Sequence, residues 1–383
     1  MSLAAIVIGL FLGILSGLVP GIHPNFVVSV VDKLGIDSDT LSLILVSMYS
    51  ASLVFSFIPS IFFGIPEDTV VSALAGQRLA LRGRGVAALQ TMALSALAAS
   101  LMASAIFFLS LDFYGGIYPM ISRHVKYLLL ASAVLLLIRS RNPKLAVAVF
   151  MAAGILGKVT LDSDLADPFL PLFSGMFAIS SIMSSGSGTL PRQEEEPLWM
   201  DFPKFSALGV ALGLVANLLP AIGSPAQIAA IASIFVPLES LQYLATISSI
   251  SASQAIFSLS SAASIGKGRN GVTAWVAENI TIQNNLGILV AGFLISMAAS
   301  ALIVYFCRKK IAEAAELDFS AIAKIIAAYI FAVTFIIDGF WGVAVLLAGS
   351  LLGLITIRLG AGRINLMGSI ILPTLMLLFG IFI

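Results

Sequence analysis

Few side chains in this chain can do chemistry, and most of those stand beside helix breakers. There are two histidines, one cysteine and 19 carboxylates. His23 and Asn25 lie in "GLVPGIHPN" (17–25), and Glu67, Asp68 and Thr69 follow Pro66 in "FFGIPEDTVVSALAG". Gln227 ends "PAIGSPAQ" behind Gly223, Ser224 and Pro225, and Lys267 and Arg269 punctuate "SIGKGRNG". His23 can titrate near neutral pH or hydrogen-bond a local carbonyl. Glu67 and Asp68 suit the positive end of a helix that Pro66 begins. They read either as an acidic helix start at the membrane surface or as a partner for a proton or cation, because an ionisable group at membrane depth is functional by default. Lys267 and Arg269 can bind an anion or anchor a helix end. Two hydroxyl runs, "SMYSAS" (47–52) and "SSISASQAIFSLSSAAS" (248–264), have two readings as well. Small residues let helices pack closely, while Ser50, Ser52, Ser251, Ser253 and Gln254 offer oxygens to Na⁺.

What must position these groups is a membrane bundle. Of the 383 residues, 59% are hydrophobic and 10% charged, against about 25% charged in a soluble domain. Apolar windows of about 20 residues, enough to cross a bilayer, recur from end to end. Net charge is +1 and no basic cluster exceeds a short loop, which excludes nucleic acid as a partner. Cys307 has no disulfide partner, and no Cys/His cluster has metal-ligand spacing. The first segment lacks a basic start and a small-residue cleavage site, so it is read as a span rather than a signal peptide. An intramembrane enzyme would need a nucleophile with a base, or a metal set, and neither is present.

The polar stretch "SSGSGTLPRQEEEPLWMDFPK" divides the chain into an N-terminal repeat (1–184), a cytoplasmic linker (185–203) and a C-terminal repeat (204–383). "LGILSGLVPGIHPN" parallels "LGLVANLLPAIGSP", with Pro20 opposite Pro220. "MYSASLVFSFIPSIFFGIPED" parallels "ISSISASQAIFSLSSAASIGKG", and "AVFMAAGILGKVTL" parallels "AVLLAGSLLGLITI". Cytoplasmic loops are rich in Lys and Arg. The basic groups are Arg78/Arg82/Arg84, Arg139/Arg141/Lys144, Arg308/Lys309/Lys310 and Arg358/Arg363, while 111–116 and 161–167 read as acidic loops. With the basic loops inside, 86–110 and 144–160 run outward, whereas 285–307 and 338–357 run inward. The fold class expected is an all-α polytopic membrane protein of two inverted-topology repeats, whose Pro/Gly-broken helices or helical hairpins meet near the bilayer midplane.

Irregular backbone survives at membrane depth only where protein or a water-filled cavity surrounds it. Breaks at 20–25, 64–68, 220–225 and 266–271 fall at paired positions. Pro20 and Pro24 lack an N–H and Gly21 can take positive φ, so one helix ends and another starts there. The second half-helix presents free N–H groups to an anion, with Asn25 placed to cap it or to donate. Inverted repeats with interrupted helices are the plan of secondary transporters.

These residues resemble a known family. "GLVPGIHPN" is similar to the Gly-Leu-x-Pro-Gly-x-Gly-Pro signature of the large permease subunit of tripartite tricarboxylate transporters. Gly64-Ile65-Pro66, Gly76 with Ala80, and Arg82-Gly83 match later parts of the pattern, and "LMGSIILPTLMLLFGI" resembles its compact archaeal-type branch. The resemblance implies an inverted-repeat permease for citrate-like organic anions coupled to Na⁺ or H⁺, with Pro20, Gly21, Pro24, Pro66 and Gly76 as signature residues. His23 replaces a usual Gly, Asn25 a small residue, and Glu67-Asp68 a Gly-Thr pair. All three departures fall where the ligand would sit.

The expected function is secondary transport of a small carboxylate in the cell membrane, with no cofactor beyond a coupling Na⁺ or H⁺. Half-helix tips after Pro24 and Pro225 would hold the anion, and segments after 64 and 266 would complete the pocket. A flippase for a polyprenyl-phosphate carrier is the alternative, with a lipid-facing groove flanked by Lys267, Arg269 or Arg78. Expected partners are the anionic substrate, membrane lipids and a second copy of the chain, with a small membrane subunit and a soluble binding protein implied by the resemblance.

Overall fold

A computed structural model describes residues 2–19, 35–64, 70–138, 140, 142–184, 190–218, 241–316 and 319–381. The described residues are helical, without a strand. The first half contributes α1 (Leu3–Leu18), α2 (Ser38–Phe55), α3 (Phe57–Phe63), α4 (Val70–Ala80), α5 (Gly85–Ala105), α6 (Phe107–Ser122), α7 (Val125–Ile138), α8 (Pro143–Leu161) and α9 (Phe169–Ser184). The second contributes α10 (Phe202–Ala216), α11 (Leu241–Ile265), α12 (Gly271–Asn279), α13 (Ile282–Ala315), α14 (Phe319–Arg358) and α15 (Gly368–Phe379), the last entered through a 3₁₀ turn, Arg363–Met367. By length and composition five stretches of the described residues can cross a membrane, Ser38–Phe63, Gly85–Ala105, Pro143–Leu161, Ile282–Ala315 and Lys324–Arg358, the last interrupted at Gly339. The pair α6/α7, bent by 84°, makes a sixth if it counts as one span. The chain is thus a multi-pass helical membrane protein.

Local chemistry sets the ends. Asp37 caps α2 by accepting from the Thr40 N–H at 2.9 Å, and Asn142 followed by Pro143 starts α8. Gly64 and Gly266, with φ of 64° and 66°, end the helices before the second and fourth breaks. The expected segments 319–337 and 338–357 appear as α14, which is broken at Gly339 (φ 63°, ψ −155°). A Cβ on Gly342 would lie 3.2 Å from the Thr334 methyl, and Ile330 shares a core with Leu346, so α14 folds back on itself. One expectation is corrected: 111–116 is not a loop but lies inside α6, because Gly115-Gly116 continues the helix and the chain turns instead after Ser122. The segment expected at 285–307 is longer at both ends, as α13.

In lipid no hydrophobic force drives apolar helices together, so close approach of small residues must. On α1, Gly9 faces Ile44 and Ser47, and Gly13 faces Met48 and Ala51 of α2. On α10, Gly209 faces Thr246 and Ser249, and Gly213 faces Ile250 and Ser253 of α11. The two seams therefore use matching positions. Later, Gly157 of α8 packs on the Ser369 backbone of α15, while Gly353 of α14 packs on Met176 and Ser180 of α9.

The buried residues form one large core from α1–α6 and α10–α13, and smaller cores from α7–α9, α14 and α15. Each half gives its early helices to the large core and its late helices to the others. Phe63, just before the second break, reaches across to the core of α9 and α14. Residues 190–200 are not a loose connection. Arg84 pairs with Glu196, Arg308 and Lys309 with Glu195, and the Glu194 N–H donates to the Gly83 carbonyl at 2.7 Å. The start of α5 and the last third of α13 thus lie at one end of the bundle, so these helices run antiparallel.

Candidate functional site

The fourth break is a tightly bonded turn. Gly268 packs so closely on the Thr273–Ala274 backbone that no Cβ fits. The Arg269 N–H donates to Ser258 Oγ at 2.7 Å, Ser258 and Thr273 share a hydroxyl bond of 2.6 Å, and Ser261 Oγ donates to the Lys267 carbonyl at 2.9 Å. Asn270 and Thr273 form a capping box that starts α12. The Ser-rich face of α11 is what ties this turn down.

The turn aims its arginine at the end of α10. Arg269 Nε donates to the Asn217 carbonyl at 2.9 Å and Nη2 to the Leu218 carbonyl at 3.4 Å, at the C-terminal, negative end of α10. Asn217 is buried, and its amide donates to the Phe257 carbonyl (2.9 Å) and to Ser261 Oγ (3.1 Å), while its Oδ1 has no partner. Tyr118 of α6 lies under both cations, with Lys267 Nζ and Arg269 Cζ 5.4 and 5.3 Å from the ring centre. Tyr114 donates to the Leu214 carbonyl at 2.9 Å. Beside this cluster a cleft of about 440 Å³ opens between Asp112, Gly115 and Gly116 of α6, Ser264 of α11 and Gln283 of α13.

Of the residues singled out by sequence, Lys267 and Arg269 come together with the residues leading into the third break. Gly21, His23, Pro24, Asn25, Pro66, Glu67, Asp68, Thr69, Gly223, Ser224, Pro225 and Gln227 lie outside the described residues. Ser50 donates to the Phe293 carbonyl at 2.7 Å across the α2–α13 seam. Ser251 donates to Ile247 O (3.2 Å), and Ser253 to Ser249 O (2.7 Å) against Gly213. Ser52 is buried, its carbonyl against Gly17, and Gln254 is half-buried on α11. The hydroxyl protons of Ser50, Ser251 and Ser253 thus go to helix carbonyls. Gly76 is a packing glycine, since a Cβ there would lie 2.9 Å from Ile61 Cγ1.

Sequence reasoning missed Asn217, Tyr114 and Tyr118, and took in Ser258 and Ser261 only as members of the hydroxyl run 248–264. Asn217 was visible as the lone amide at the end of an apolar helix, in "LGLVANLLPAIGSP"; Tyr118 carried no signal.

Residues 3–368 match the model of the tripartite tricarboxylate transporter TctA family. An uncharacterised protein of Methanocaldococcus jannaschii is 27% identical over 406 residues, covering 98% of each chain. No solved structure matches. The match spans nearly all of a chain whose described helices are apolar, and so this protein belongs to the tripartite tricarboxylate transporter TctA family.

Proposed function

We propose that this chain is the membrane permease for a small organic anion, a di- or tricarboxylate, and moves it by alternating access coupled to Na⁺ or H⁺. The observation that carries the reading is that Arg269 of the fourth break donates to the Asn217 and Leu218 carbonyls at the end of α10. Helix ends and cations gathered at one place suit a carboxylate better than packing alone requires. The matched glycine seams and the antiparallel α5 and α13 support two copies of inverted topology. Division into a large core and smaller ones, each built from both halves, suits a body that moves against another.

In this reading the half-helices after Pro24 and Pro225 offer N–H groups to the carboxylates, with Asn25 and Gln227 as side-chain donors. Arg269 fixes the end of α10, and Lys267 adds positive potential. Glu67 or Asp68 holds the coupling cation or proton. The membership also suggests a small membrane subunit and a soluble binding protein as partners. The test is Asn25→Ala, which should abolish carboxylate uptake into proteoliposomes while the protein still elutes as a folded species. Undiminished uptake would move the site elsewhere. A thermal-shift screen with di- and tricarboxylates, with and without Na⁺, identifies the substrate class, because a ligand of the native state raises its stability.

A further inference from the structure

The cleft between α6, α11 and α13 gathers oxygen acceptors on one cavity. It lies at the end of the bundle opposite the 190–200 strap: α13 meets the strap through Arg308 and Lys309 near its C-terminal end, and Gln283 stands in its first turn. Leu111 and Leu286 give the cleft of about 440 Å³ apolar walls, and Asp112, Ser264 and Gln283 line it with polar groups. Gly115 and Gly116 keep it open, since a Cβ on either would meet nothing within 4 Å. Among the described residues no lysine, arginine or histidine lines it. Asp112 is exposed and makes no ion pair with a described residue. Ser264 Oγ is buried, without a hydrogen-bond partner among the described residues. Gln283 Nε2 donates to the Ala263 carbonyl at 2.9 Å, which leaves Oε1 as the acceptor end of that amide. Ser264 lies in the last turn of α11, which Gly266 ends with φ 66°. The cleft therefore also borders the negative end of a 25-residue helix.

A carboxylate, a hydroxyl, an amide oxygen and helix-end carbonyls are hard acceptors, the donor set of hard cations. One carboxylate supplies one negative charge, which balances a monovalent ion and leaves a divalent one under-compensated. Where membrane helices are interrupted, their C-terminal ends and freed carbonyls are the groups that coordinate Na⁺. We propose that the α6–α11–α13 cleft is a Na⁺ site. Asp112 supplies the charge, Ser264 Oγ and Gln283 Oε1 the neutral oxygens, and the end of α11 the helix potential. At about 30 Å³ per water, the cleft also has room for waters that complete the ion's shell. The bound ion ties α6 to the ends of α11 and α13, just before the turn that carries Lys267 and Arg269. Those two cations lie over Tyr118, in the next turn of α6 after Gly115. The site uses neither Glu67 nor Asp68 and does not depend on the permease reading, because its readout is binding to the folded bundle rather than uptake.

The test is the thermal midpoint of the full chain in detergent, titrated with NaCl against choline chloride at constant ionic strength. The midpoint should rise with Na⁺ and not with choline, because a ligand of the native state stabilises it. Asp112→Asn should weaken the apparent Na⁺ affinity about tenfold or more, the effect of losing a charge-assisted contact. Gly116→Leu fills the cleft from a position with open space around it, so it should fold and respond to Na⁺ no more than to choline. Asp39→Asn is the control. It removes another exposed carboxylate, one that accepts from Asn285 Nδ2 at 3.0 Å, and should leave the Na⁺ response unchanged. No Na⁺ response in the wild type, or an equal one in wild type, Asp112→Asn and Gly116→Leu, would overturn the proposal. So would a response lost equally in Asp39→Asn, which would make it a general effect of surface charge. A larger rise with Ca²⁺ than with Na⁺ at equal concentration would overturn the monovalent assignment.

Discussion

Replacing Gly13 by alanine tests whether the α1–α2 crossing is as close as the structure has it. A Cβ there would overlap the Met48 carbonyl oxygen and lie 2.5 Å from the Ala51 Cβ. Neither atom can rotate away, so α1 must withdraw along its seam. Over-packing of this kind costs about 1–3 kcal/mol, towards the upper end where the clash is with backbone, and alanine returns about 0.5–1 kcal/mol as a better helix former, leaving a net loss of up to about 2.5 kcal/mol. At the matching Gly213 the nearest atom is Ser253 Oγ, a rotatable side chain, and the first backbone oxygen lies 3.2 Å away. Gly213→Ala should therefore lose less. Gly287 in α13 has nothing within 4 Å, so its alanine variant should gain about 0.5–1 kcal/mol. The assay is the thermal midpoint of each purified variant in one detergent, read by loss of the folded peak on size exclusion. The expected order is Gly13→Ala below Gly213→Ala, with Gly287→Ala at or above wild type. A Gly13→Ala protein as stable as wild type would refute the seam.

Three further outcomes follow from the geometry. Gly339 also has open space around it, but its φ of 63° and ψ of −155° belong to a region reserved for glycine, so Gly339→Ala should lower stability by about 1–3 kcal/mol and with it the midpoint; a gain like that at Gly287 would mean that α14 does not fold back there. Arg269→Gln leaves the Asn217 and Leu218 carbonyls without their donor and should cost about 1–3 kcal/mol together with uptake. Unchanged stability and uptake would detach the fourth break from the third. The Arg84 guanidinium holds Glu196 below the ordinary carboxylate range, so the strap's stabilisation is present above about pH 4.3 and is lost as pH falls through the lower folded value. The thermal midpoint should fall as pH drops below that value, and tryptic cleavage at the exposed Arg192, run at neutral pH, should accelerate in high salt. A midpoint indifferent to pH together with a rate indifferent to salt would mean that the ion pairs do not hold the strap.

Much of this architecture was legible in the residues because lipid imposes simple rules. Apolar length marks a span, as at 38–63 and 143–161, and glycine or proline marks where a helix can stop, as at Gly64, Gly266 and Gly339. The two glycine seams were readable because close packing needs small residues at fixed spacing, as at Gly13 and Gly213. What misled was Gly115-Gly116: glycine allows a break without requiring one, and no donor or cap there ends α6.

Element type, breaks and membrane character come from local composition, since backbone hydrogen bonding in hydrocarbon leaves the chain little choice. Which side chains meet is a different matter, because partners are separated by long stretches of sequence. Nothing local to Arg269 says that its guanidinium caps α10, 52 positions away, and nothing near Arg363 says that its acceptor is Phe177, 186 positions earlier. The three acidic residues Glu194, Glu195 and Glu196 looked like a solvated linker until helix packing brought Arg84, Arg308 and Lys309 to one end of the bundle. Composition selects the bundle, whereas close packing of distant segments decides which charges are paired.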